Sequence, residues 1–167
     1  MNKDELRVLQ SPLKDKYKEQ PQSALVTLKA EGALGEGVTC NIETGKALAA
    51  VAGLHPATGG SGLELCSGDM MLEALVACAG VTLKAVATSL GIEVKSGTVR
   101  AEGDLDFRGT LAVSKEAPVG FKEIRLSFKL DTSANEEELK SLIKLTERYC
   151  VVYQTLKRPP EMKLGIN

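Results

Sequence analysis

The 167 residues suit one domain, which at this length buries roughly 70% of the surface its unfolded chain exposes and needs no staple. The 21 basic and 22 acidic residues nearly cancel, which excludes a nucleic-acid or membrane surface built on bulk charge. Three Tyr, three Phe and no Trp leave little for base stacking. The start, MNKDELRVLQ, is charged and has no apolar signal-peptide core. The best candidate membrane span is interrupted by Glu73 and Lys84. A soluble, cytoplasmic protein is expected.

Residues 1–22 read as an N-terminal arm, one or two short helices anchored by Leu6, Leu9, Leu13 and Tyr17, ahead of a domain over 23–167. ALVTLKAEGAL (24–34), VTCNIE (38–43) and ALAAVAG (47–53) predict a three-stranded meander. LHPATGGSG (54–62) is loop, its glycines serving turns rather than a phosphate cradle, since no P-loop lysine follows. SGDMMLEALVACAGVTLKAVATSLG (67–91) predicts a long central helix, apolar on nearly every face, with Asp69 in its first turn and Gly91 closing it. Strands follow at 92–109 and, with period-two spacing, at 121–131. A second helix is predicted over 133–156, opened by a Ser133–Glu136 capping box and stopped by Pro159-Pro160. The tail EMKLGIN can supply a last strand, and the order of elements is α+β.

Cysteines stand at 40, 66, 78 and 150 with no CxxC pair, so structural disulfides or a metal cluster are not expected. At 100° per residue, Cys78 shares a small apolar face with Met71, Ala74, Leu75, Val81, Thr82 and Ala85. Such a thiol either fills space or does chemistry. Cys150 points to the core side of the second helix, among Thr146, Glu147 and Tyr153. Two helices with one inward cysteine each are what a dithiol–disulfide site requires, although periodicity does not bring the sulfurs together. His55, the single histidine, reads as structural, and Cys66 as either a plain loop cysteine or an alternative resolving or exposed redox thiol.

LEALVACAGVTLKAVA (72–87) resembles the cysteine helix of the OsmC/Ohr family of peroxide-removing proteins. ERYCVVYQTL (147–156) is similar to that family's second cysteine signature, and LHPATGGSGLELCSGDMMLEAL to the Gly-rich loop before the first. The resemblance implies antiparallel sheets wrapped around two long central helices in an intertwined homodimer. It implies that Cys78 attacks the peroxide and becomes a sulfenic acid, that Cys150 resolves it to a disulfide, and that an external dithiol of lipoyl or thioredoxin type restores both. An apolar wall suits organic hydroperoxides, and no cofactor or metal is implied.

Two of the family's groups have no clean counterpart. The first meander, which supplies an arginine in catalytic members, contains none; Arg7, Arg148 or a residue of a partner chain are the substitutes, and the spacing singles out none of them. The glutamate ten residues before the first cysteine is replaced by Gly68, with Asp69 beside it as the candidate catalytic carboxylate. On a straight helix Asp69 points roughly opposite Cys78. A second reading keeps the same dimer as a non-catalytic binder of an apolar ligand, with the cysteines as packing.

Overall fold

A computed structural model describes residues 3–34, 40–42, 52–63 and 65–166. The charged N-terminal stretch is a single helix, α1 (Lys3–Glu19), followed by a 3-10 turn at Pro21–Ala24. Of its expected anchors, Tyr17 is 3% exposed and donates its hydroxyl to the Ala57 carbonyl at 2.6 Å. Strands β1 (Leu25–Leu34) and β2 (Cys40–Ile42) pair antiparallel, with Gly32 opposite Ile42 and Leu34 opposite Cys40.

The expected third strand of the meander, 47–53, is described only at its end. Residues 47–51 lie outside the described residues, and β3 (Ala52–Gly53) pairs in parallel with β4 (Leu65–Cys66), Ala52 against Leu65 and Gly53 against Cys66. A parallel pair needs a crossover in place of a tight turn, and the loop that starts at Leu54 begins it. That loop contains a 3-10 turn, Pro56–Thr58, capped by His55 and closed by Gly59 at φ 93°. Gly60 passes so close to the Leu54 carbonyl that a Cβ would overlap its oxygen, which explains a glycine there.

Helix α2 (Ser67–Leu90) then runs for 24 residues. Gly91, at φ 69°, ends it as expected, with Ile92 N–H donating to the Ala87 carbonyl in a Schellman arrangement. The strand expected over 92–109 is β5 (Val94–Asp106). Its end turns into a short helix, α3 (Phe107–Thr110), because Asp106 accepts the Arg108 N–H and chelates the Arg108 guanidinium. β6 (Phe121–Thr132) matches expectation, and the strands form one sheet in the order β2-β1-β5-β6.

The last helical segment departs most from its reading. It starts at Glu136, with Asn135 and Glu138 forming the capping box in place of Ser133 and Glu136. Both tetrads fit the pattern, but Thr132 accepts the Ala134 N–H and donates to the Glu93 carbonyl, tying the chain at Ser133 into a turn. The segment is two helices, α4 (Glu136–Tyr149) and α5 (Val151–Lys157), divided at Cys150. The tail forms no strand: residues 159–166 are irregular, and Met162, Leu164 and Ile166 are exposed.

The chain makes two compact units. One comprises Met1–Ala30, Glu43–Glu73 and Arg100–Ser127, the other Glu31–Ile42, Ala74–Val99 and Phe128–Asn167. In the first, α1, α3 and the two 3-10 turns pack together, with Tyr17, Ala24 and Phe107 buried. In the second, Leu83, Val86, Ala87, Val94 and Leu142 form the core, flanked by Ile92, Phe128, Leu130, Ile143 and Leu145. Emptying the Leu142 site with alanine would cost about 2–5 kcal/mol.

Helix α2 was expected to be covered on every face. Leu72, Leu75, Val76, Ala79, Leu83, Val86 and Ala87 are indeed buried. In the single chain, however, Met71 is 42% and Val81 39% exposed, and Ala74 and Ala85 are exposed with them. By length and composition α2 could cross a membrane, yet 44% of its most apolar window is buried inside the protein.

Candidate active site

Cys78 and Cys150 come together within the second unit. Both are free thiols, Cys78 half-buried and Cys150 1% exposed, and their sulfurs hydrogen-bond. The two positions chosen from the sequence therefore meet.

The geometry at Cys150 follows from the break between α4 and α5. In an uninterrupted helix the N–H groups of Val151, Val152 and Tyr153 would donate to the carbonyls four residues earlier. Cys150 instead takes an extended conformation, φ −71° and ψ 107°, while its own N–H still reaches the Thr146 carbonyl at 2.9 Å. α5 resumes with Gln154 N–H on the Cys150 carbonyl, also at 2.9 Å. Between those bonds, three N–H groups are released. Tyr153 N–H lies 3.4 Å from Cys150 Sγ, and the N–H groups of Val151 and Val152 donate to the Cys78 sulfur. Thr82, one turn along α2 from Cys78, adds its hydroxyl.

These donors settle which thiol ionises. Burial pushes the Cys78 thiol up, but the hydrogen bonds from Val152 N–H, the Cys150 thiol, Thr82 and Val151 N–H outweigh it, and its pKa falls below the ordinary 9.0. Cys150 moves the other way, to about 11, through burial and through the hydrogen bond it gives to Cys78. The arrangement favours the ionised form of Cys78 through backbone amides, a hydroxyl and a neighbouring thiol. A thiolate is the reactive form of cysteine.

Among the described residues, the groups that lower the Cys78 pKa are these donors and include no arginine. Arg148 lies over the Tyr149 ring, 5.5 Å from its centroid, and the side chain of Arg7 is outside the described residues. Sequence reasoning looked for an arginine and missed the backbone donors, which carry no side-chain signature. Thr82 had been placed on the Cys78 face, so that donor was visible though unassigned.

Asp69 lies in the first unit. Its pKa is raised by burial and partly lowered by His55, and Glu73 is raised by burial and by Asp69. The His55 Nδ1 accepts the Ala57 N–H at 3.0 Å, and its ring stacks on Phe107 at 4.9 Å. That fits the structural reading of His55 as a turn cap. Cys66 ends β4 as a half-buried free thiol, and the side chain of Cys40 is outside the described residues. Among the described residues no group of three His, Cys, Asp or Glu side chains is arranged to hold a metal ion.

The OsmC-like protein family matches residues 60–165, a span that contains α2, both cysteines and the break at Cys150. The chain belongs to the OsmC-like family. An OsmC-like hydroperoxide resistance protein from Jannaschia sp. CCS1 shares its fold, with TM-score 0.58 and 18% identity over 86% of this chain and 97% of that one. An OsmC-like protein from Mycoplasma pneumoniae gives TM-score 0.56 and 16% identity over 81% of this chain and 86% of that one. No curated protein sequence matches it. At such identities the likeness fixes the fold of this OsmC-like chain, a mixed α/β structure with an antiparallel sheet.

Proposed function

We propose that this OsmC-like protein is a thiol peroxidase that reduces organic hydroperoxides. The observation that carries the reading is the hydrogen-bonded Cys78–Cys150 pair, one thiol shifted toward ionisation and the other away from it. The Cys78 thiolate attacks the terminal peroxide oxygen. The O–O bond breaks, the alcohol leaves with a proton, and Cys78 becomes a sulfenic acid. Cys150 then attacks that sulfur, a disulfide forms and water leaves. An external dithiol of lipoyl or thioredoxin type returns two electrons and two protons by exchange through a mixed disulfide.

The order of roles follows from acidity. Cys78 is ionised first, while the raised pKa of Cys150 keeps its proton available as a hydrogen-bond donor in the reduced state. Once Cys78 is oxidised, Cys150 loses the neighbouring negative charge that held its pKa up, and its own ionisation becomes easier. Asp69 is retained as a candidate catalytic carboxylate only through the family's glutamate, and its local partners are His55 and Glu73.

A homodimer in the cytoplasm is part of the same proposal. Met71, Ala74, Cys78, Val81 and Ala85 recur at steps of three and four along α2, a seam suited to another helix. Apolar side chains exposed on both sides of Cys78 support a second copy packing there.

The test is peroxide consumption by the reduced full chain, with tert-butyl hydroperoxide or hydrogen peroxide as oxidant and dihydrolipoamide or thioredoxin as reductant. Turnover with the organic peroxide, faster than with hydrogen peroxide and dependent on a dithiol, is expected. If neither peroxide is consumed, the enzyme reading fails and the apolar-ligand reading of the same fold takes its place.

A further inference from the structure

The break at Cys150 releases N–H groups to the sulfurs, but it also strips carbonyls at the end of α4 of their helical partners. The Glu147 carbonyl is the one that Val151 N–H would have capped in a continuous helix. Here the Gln154 side-chain amide donates to it at 2.8 Å, reaching back seven residues across the break. The Glu147 carboxylate is in turn held by Lys157 Nζ at 2.5 Å, ten residues on. Gln154 therefore substitutes for the bond that Val151 gives up, and Lys157 clasps α5 to the same residue of α4. Neither group touches a cysteine.

We propose that Gln154 is a positioning residue for Cys78: by capping the Glu147 carbonyl it holds the helix open at Cys150 and keeps the Val151 and Val152 N–H groups on the Cys78 sulfur. Without that cap, the Glu147 carbonyl competes for Val151 N–H, and the chain gains by closing toward a continuous helix. Closure withdraws donors from Cys78 one at a time, Val151 first. Lys157 has the lesser part. Its ion pair with Glu147 is half exposed, with side chains 51% and 41% accessible, so solvent screening weakens it. The inference rests on the reading of Cys78 as the reactive thiolate.

The experiment is the pH dependence of Cys78 alkylation in the reduced full chain. Limiting iodoacetamide is used, and the Cys78 peptide is quantified by mass spectrometry. Gln154→Met keeps the length and removes the donor. Its alkylation midpoint is expected to rise by roughly one unit, a loss of about tenfold in thiolate at neutral pH. Gln154→Lys, which keeps a donor within reach, is expected to hold the midpoint near that of the native protein. Lys157→Ala is expected to move it by less than Gln154→Met does. A merely structural role for Gln154 would lower the melting temperature of the Met and Lys variants alike and leave both midpoints in place; that result overturns the proposal. A native midpoint at or above the ordinary 9.0 overturns instead the reading beneath it. The two failures are therefore distinguishable.

Discussion

Cys78 and Asp69 stand on the same helix, and burial penalises charge on both, yet the outcomes are opposite. At Cys78 two backbone N–H groups, a hydroxyl and a thiol outweigh the penalty, and the pKa falls. At Asp69 the nearby His55 offsets only part of it, Glu73 is raised as well, and the carboxyl stays high. What separates the two is the supply of aimed donors rather than burial or proximity to the helix start. The helix dipole favours an acid in the first turn, where Asp69 sits, and fades before Cys78. The dipole is thus the weaker effect in both places.

The comparison can be broken in steps of decreasing size. Cys78→Ser removes the nucleophile, and peroxide consumption should fall to the uncatalysed rate; residual dithiol-dependent turnover would move the chemistry elsewhere. Cys150→Ala takes away both the resolving thiol and one donor. Turnover should stop after a single oxidation, with a sulfenic acid at Cys78 that a cyclic 1,3-dione traps. The pH at which that first oxidation levels off should also rise. A lowered pKa means that the native rate climbs with pH as Cys78 ionises, with its midpoint below 9.0, so losing a donor shifts that midpoint and the plateau upward.

Thr82→Val, nearly isosteric, deletes only the hydroxyl. A midpoint higher by roughly half a unit is expected, with about threefold slower oxidation at neutral pH and little change in melting temperature. The smallest effect is at the other end of the comparison. A raised folded pKa means that the Asp69 carboxyl contributes stability below the ordinary 3.8 and loses it as pH rises through the folded value. At pH 7 the charge is therefore a net cost. Asp69→Asn should raise the melting temperature by roughly 1–3 °C, with the gain closing in acid. Its oxidation rate decides the catalytic role that the family's glutamate suggested: an unchanged rate removes Asp69 from the mechanism, and a large loss places it there.

The sequence made the scaffold of the site readable and its activation unreadable, for physical reasons. α2 was legible because its apolar run, an acid in its first turn and a glycine just past its end all agree. β6 was legible because four apolar residues, Ile124, Leu126, Phe128 and Leu130, alternate with polar ones. Cys78 and Cys150 were legible as neighbours because helical spacing turns each toward the other's helix, and the structure brings the two thiols together. The break at Cys150 was hidden by apolar positions from Leu139 to Leu156 that continue helical spacing through it. A break changes hydrogen bonds more than it changes which face is apolar. Its consequence was hidden further, because backbone N–H groups are present at every residue and only geometry aims them. The parallel pairing of β3 with β4 was missed because two-residue strands carry no periodicity. The tail, read as a strand from its alternating Met162, Leu164 and Ile166, finds no sheet partner among the described residues.

The central claim is that Cys78 and Cys150 are one redox pair. Its most direct test is to treat the reduced full chain with one equivalent of an organic hydroperoxide, digest it without reduction, and map the disulfides by mass spectrometry. The account predicts a Cys78–Cys150 bridge within each chain, with Cys66 left as a thiol. Four intact thiols after that exposure, or a bridge that joins either cysteine to Cys66 instead, would contradict it.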